Sequence, residues 1–135
     1  HPLYKNKPKV FDSFCWHYDE VQNLPAGTIV LSSNSKSDIQ SIVFSRGNSE
    51  IWAVQYHPEF NPEWISGLMK QRKSLLLKEG IFSNSRELDK LCSFLLNFEK
   101  FKEQKKELSI SNSLIDEKIH TLELANWFDN LKNNI

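Results

Sequence analysis

This chain has little cysteine, no net charge and no long apolar run, and each shortage closes off a class of function. Cys15 and Cys92 are its only cysteines in 135 residues. They are too few and too differently placed for a disulfide framework, and their spacing to histidine fits no zinc pattern. No metal or cofactor is expected, and a reducing cytoplasm is the expected compartment. Seventeen basic residues offset seventeen acidic ones, so no overall field exists to hold nucleic acid or an anionic membrane. No apolar stretch approaches the roughly 20 residues that cross a bilayer, and no charged-then-apolar leader opens the chain. Methionine occurs once, at Met69, and the first residue is His1. The opening segment reads as the middle of a domain, so a fragment is expected.

What the chain does have is a run of β-branched and aromatic residues from Ile51 to Tyr56, followed by His57, Pro58, Glu59 and Phe60. The run suits a strand buried on both faces, as in a parallel sheet covered by helices. Pro58 keeps His57 out of the helical region, so the backbone stays extended through this residue. Residues i and i+2 of an extended backbone project to one side. The Glu59 carboxylate is thereby placed to accept the ring N–H of His57, which leaves the other ring nitrogen to take a proton from a thiol or hydroxyl. This is the base half of a nucleophile-base-orienter site.

Upstream stand Phe14, Cys15, Trp16, His17, Tyr18 and Asp19, then Leu24-Pro25-Ala26-Gly27, then the strand-like Thr28 to Ser32. The order Trp-His-x-Asp, Leu-Pro-x-Gly, strand, strand, Gln-Tyr-His-Pro-Glu-Phe resembles the carboxyl-terminal half of class I glutamine amidotransferase domains. Within that family it is most similar to the GMP-synthase-like branch. The resemblance implies an α/β, flavodoxin-like fold followed by amphipathic helices. It also implies a cysteine nucleophile on a strand-to-helix elbow, with His57 as its base and Glu59 orienting the ring. Neither Cys15 nor Cys92 sits in such an elbow. Both read as small core hydrophobes, and the family's Gly-x-Cys-x-Gly elbow is expected before residue 1. Trp16, His17 and Tyr18 fall on the family's glutamine-contacting stretch, although Tyr18 stands where many members carry glycine. That departure implies a tighter or altered pocket. His1 and His120 have no supporting context and read as surface or packed residues.

The first half reads as short strands and the second as helices. Strands are expected near Lys9–Phe14, Thr28–Ser32, Ile39–Ser45 and Glu50–Tyr56, with a hairpin at Arg46-Gly47-Asn48. Asn61 caps, and Pro62 opens, a helix reaching about Glu79, where Gly80 ends it. Trp64 and Ile65 are expected to pack beneath His57. A second helix from Ser83 or Ser85 carries Leu88, Leu91, Leu95, Phe98 and Phe101, and Lys100 to Lys106 form its solvated end. A third, beginning with Ser113 and Asp116, carries Leu114, Ile115, Ile119, Leu122, Trp127, Phe128 and Leu131. Residues 1–107 are assigned to the amidotransferase-like part and 108–135 to a helical tail. The tail docks back on the domain or forms a homodimer contact, with Trp127 and Phe128 as its anchor.

The function this implies is hydrolysis of the glutamine side-chain amide through a cysteine thioester, with ammonia passed to a synthetase domain or subunit. This chain alone is expected to be inactive. Two alternatives remain: a γ-glutamyl hydrolase of the same fold, and a non-catalytic amidotransferase-like binding module.

Overall fold

The computed structural model describes residues 1–97 and 109–133. Three strands, β1 (Ile29–Ser32), β2 (Ser41–Arg46) and β3 (Ser49–Val54), form one sheet in the order β1-β2-β3. Both pairings are antiparallel. The β2–β3 hairpin closes over Gly47 and Asn48, with Arg46 paired to Ser49. Gly47 has φ +59, the positive value that the first position of a type II′ turn requires. Two strands joined by so short a turn must run antiparallel. The expected doubly covered parallel strand is therefore not found: β3 is half-exposed along most of its length. Lys9 to Phe14 forms no strand either. Lys9 and Val10 bend, and only Phe14 pairs, in an isolated antiparallel bridge to His57.

Helix α1 (Pro62–Gln71) starts as its sequence dictates, with the Asn61 side chain accepting from the Trp64 N–H and proline in the first turn. A break at Arg72 separates it from α2 (Lys73–Lys78), so the single helix expected to reach Glu79 is two. Gly80 ends the pair with φ +70. Helix α3 (Ser85–Leu96) is capped by Asn84, whose side chain accepts from the Glu87 N–H. The Glu87 carboxylate reaches back to the Ser83 N–H at 2.9 Å, a reciprocal cap displaced by one residue from the usual box.

Ile65, Met69, Leu76, Leu88, Cys92 and Leu95 form the helical core. At the α1–α3 crossing, Ser66 Oγ donates to the Cys92 carbonyl at 3.3 Å and the Cys92 thiol points at the Ser66 carbonyl at 3.7 Å. Cys92 is thus the small core residue expected. Trp64, placed in the first turn of α1 away from that core, is 65% exposed rather than packed beneath the sheet. Phe98, Phe101 and the Lys100–Lys106 stretch lie outside the described residues.

Among the described residues the tail forms three helices rather than one: α4 (Asn112–Ile115), α5 (Glu117–His120) and α6 (Leu122–Asn133). Asp116, with φ −82 and ψ 107, breaks the first from the second and caps the second by accepting from the Lys118 N–H. These helices pack against the amino-terminal segment. Asn126 donates to the carbonyls of Leu3 and Lys5, both at 2.9 Å. Asp12 Oδ2 accepts from the Ser111 N–H at 2.6 Å. Polar groups make much of this contact, Ile110, Leu114 and Ile115 pack against the helical core beside Phe14, and Trp127 and Phe128 are not its anchor. With Leu124 and Leu131 they occupy the exposed side of α6, whereas Glu123 is buried.

Candidate active site

His57 sits just past β3, where its backbone N–H donates to the Phe14 carbonyl at 2.7 Å. The chain then turns sharply: the Phe60 N–H donates to the His57 carbonyl at 3.3 Å, and Pro58 is fully buried inside the turn. Proline supplies the extended backbone before it and needs no N–H partner in that buried position. His57 Nδ1 and Glu59 Oε1 lie 2.7 Å apart. With the carboxylate accepting at Nδ1, the neutral tautomer leaves Nε2 as the basic atom, and no described residue engages it.

A second tether brings the Trp16–Tyr18 segment alongside. Gln55 Nε2 donates to the Asp19 carbonyl at 2.7 Å, so residues 14 to 19 run beside residues 55 to 57, fastened at both ends. The His17 ring donates through Nδ1 to the same Asp19 carbonyl at 2.9 Å. Trp16 is half-buried against the helical core, and Tyr18 is 69% exposed. Cys15, Trp16, His17 and Tyr18 line a hollow of about 290 Å³ with Ile65, Met69 and Phe82 among its apolar walls. A cleft of about 690 Å³, lined by Tyr4, Lys7, Phe11, Cys15 and Tyr56, includes neither His57 nor Glu59.

Cys15 is exposed, not the core residue expected. Its nearest hydrogen-bonding contact is Gln40 Oε1 at 4.0 Å. Partial burial raises the thiol's pKa, which opposes the thiolate that a nucleophile needs.

The residues that sequence reasoning missed are joined in a buried polar chain. Tyr4 Oη bonds Ser41 Oγ at 2.7 Å and Tyr56 Oη at 2.9 Å. Tyr56 Oη donates to Glu123 Oε1 at 2.8 Å, and Lys7 Nζ reaches Glu123 Oε2 at 2.8 Å. Lys7 also donates to the carbonyls of Ile119 and His120. Burial lowers the lysine's pKa while the Glu123 carboxylate pulls it back up. The Tyr56 hydroxyl is pushed up by burial first and by its Tyr4 and Glu123 neighbours next. Only Tyr56, adjacent to His57, offered any local signal; Lys7 and Glu123 are too distant in sequence for periodicity to pair them.

His120 belongs to the same region. It is buried, and its Nε2 donates to the Phe60 carbonyl at 2.7 Å. Burial pushes its pKa below the ordinary 6.5, with the Phe60 carbonyl pulling upward and Lys7 downward. The unfolded chain takes up this proton near the ordinary value, whereas the folded chain resists until lower pH. The stability contributed by neutral His120 is therefore complete above about pH 6.5 and is lost as pH falls from there to the lowered value. Thermal melts followed by circular dichroism are expected to fall through that window, and the fall should shrink in His120→Gln.

The site thus joins a strand-end histidine, a carboxylate 2.7 Å from its ring and an adjoining Trp-His segment. The family model for glutamine amidotransferase class-I matches residues 1–71. The chain belongs to that family. Its helix–strand architecture is that of a partial class I amidotransferase domain followed by helices. A γ-glutamyl-L-1-hydroxyisopropylamide hydrolase from a Pseudomonas species is 28% identical over 134 residues, covering 97% of this chain and 45% of the hydrolase. The glutamine-hydrolysing GMP synthase of Thermosipho melanesiensis is 28% identical over 96 residues, 64% of this chain and 18% of the synthase. That of Campylobacter jejuni strain RM1221 is 39% identical over 57 residues, 42% of this chain and 11% of the synthase. The chain thus spans less than half the length of these curated relatives. No solved structure matches it. Among the described residues, no helix is long and apolar enough to cross a membrane.

Proposed function

We propose that this chain supplies the base half of a Cys-His-Glu site that cleaves γ-glutamyl amides, with glutamine as the simplest substrate. The observation that carries the reading is the 2.7 Å contact from His57 Nδ1 to Glu59 Oε1, which leaves Nε2 open. His57 takes the proton of a cysteine thiol from the family's elbow, and the thiolate attacks the γ-carbonyl carbon. The tetrahedral intermediate collapses as the protonated ring returns its proton to the departing nitrogen, giving ammonia and a glutamyl thioester. Water then attacks the thioester with His57 again as base, releasing glutamate and the thiol. Glu59 holds the ring's tautomer and direction through each step. Trp16, His17 and Tyr18 line the glutamine pocket, with no metal or cofactor taking part.

Residues 1–107 would form the carboxyl-terminal part of the catalytic domain and 108–135 its tail. In the amidotransferase reading, ammonia passes to a synthetase domain or subunit in the cytoplasm. The exposed side of α6, with Trp127 and Phe128, is where a second copy would dock.

A second reading is favoured by the extent of one similarity. The Pseudomonas hydrolase aligns along 97% of this chain, tail included, whereas the Thermosipho synthase aligns along 64%. A γ-glutamyl amide hydrolase would use the same residues and release an alkylamine to solvent. Comparing kcat/KM for glutamine with that for γ-glutamyl alkylamides, in the complete enzyme, separates the two. An amidotransferase prefers glutamine and a hydrolase prefers the alkylamide. Failure to cleave either would overturn the proposed chemistry and favour a binding module.

A further inference from the structure

We infer that His120, carried by the tail, is a positioning residue for His57 and acts through Phe60. The inference rests on the reading of His57 as the base. An imidazole needs two restraints to present Nε2 in a fixed direction, one at its edge and one on its face. Glu59 provides the first, but its side chain is 51% exposed and that of His57 30% exposed. A contact so open to water is a weak restraint. The second restraint is the Phe60 ring, which stacks on the His57 ring with centroids 4.0 Å apart and planes within 5°.

Phe60 is itself held. Its carbonyl accepts the 2.7 Å hydrogen bond from His120 Nε2, and its ring continues the stack to Trp64 at 5.9 Å. His120 also packs edge-on against Phe14, with centroids 5.5 Å apart. Phe14 is the residue whose carbonyl receives the His57 N–H. One buried ring thus touches both segments that flank His57, the Phe60 carbonyl on one side and the Phe14 ring on the other. Lys7 holds the residue's backbone, donating to the His120 carbonyl at 3.1 Å. The charged neighbours that bear on His120 are Lys7 and Glu123, and the titratable group facing His57 is Glu59. Residue 120 lies beyond residues 1–71, where the family model matches, so this support belongs to the tail.

The test uses His120→Leu, His120→Gln and Phe60→Leu. Glutamine keeps an N–H donor at about the same reach as Nε2, whereas leucine removes it. In NMR spectra of the 135-residue chain, stacking on Phe60 is expected to displace the His57 ring protons upfield. That displacement is expected to be lost in both leucine variants and retained in His120→Gln. In the complete enzyme, the leucine variants are expected to lose about 10- to 100-fold in kcat with KM little changed, as a small misplacement of a reacting group does. His120→Gln should recover most of the loss. Unchanged ring shifts and kcat in a folded His120→Leu would overturn the inference. So would an equal kcat loss in His120→Leu and His120→Gln with the stack intact. If His120→Leu does not fold, Phe60→Leu with unmoved kcat overturns it instead. Full turnover in His57→Ala would refute the base assignment, while the ring shifts would still report whether His120 holds His57.

Discussion

Replacing His57 with alanine is expected to abolish turnover, whereas Glu59→Gln should leave a measurable fraction. The two differ because in the proposed mechanism the ring moves the proton and the carboxylate only holds the ring. General-base catalysis contributes about 10²- to 10⁴-fold, so His57→Ala should lose at least that much in kcat. Glu59 stands in an exposed position, and water can partly replace a carboxylate there. Stacking on Phe60 also keeps the His57 plane in place when the carboxylate is gone. Steady-state kinetics of both variants, with either γ-glutamyl substrate, check the order. Equal full activity in both would remove the pair from the mechanism.

The second large effect concerns stability. Lys7 and Glu123 lie 2.8 Å apart with side chains 0% and 2% exposed. A buried pair adds little net stability, because desolvation offsets the attraction, but removing one partner strands the other charge. Glu123→Ala is expected to destabilise the chain by about 3–5 kcal/mol, and the loss also removes the acceptor of the Tyr56 hydroxyl. The double variant Lys7→Met with Glu123→Leu should recover a large part of that loss. Denaturant unfolding of the two variants measures it. A single variant as stable as the parent would mean that the tail does not hold the amino-terminal segment in the way described.

The His57–Glu59 pair was legible because it depends on local geometry alone: an extended backbone, a proline and a spacing of two. The β2–β3 hairpin was legible for the same reason, since Gly47 marks its turn. So were the caps at Asn61 and Gly80, each a one-residue signal. The tail was legible as helix but not as surface. Periodicity identifies two faces of α6 without saying which one is buried, and the rule that the apolar face goes inward fails here. Glu123 turns inward because Lys7 and Tyr56 satisfy it, and Asn126 because two backbone carbonyls do. Such long-range polar partners leave no pattern in sequence. Trp64 was misplaced by the same rule, since an aromatic in the first turn of α1 stacks on Phe60 at the surface instead. Cys15 shows its neighbourhood only once Gln40 is in place beside it.

The central claim is that His57 serves a cysteine other than Cys15 and Cys92. The most direct measurement is to treat the native protein, purified from its source, with a glutamine-derived thiol alkylator and locate the adduct by mass spectrometry. The account predicts a single adduct on a cysteine of a Gly-x-Cys-x-Gly elbow outside residues 1–135, forming far more slowly in His57→Ala. An adduct on Cys15 or Cys92, or no adduct at all, would contradict it.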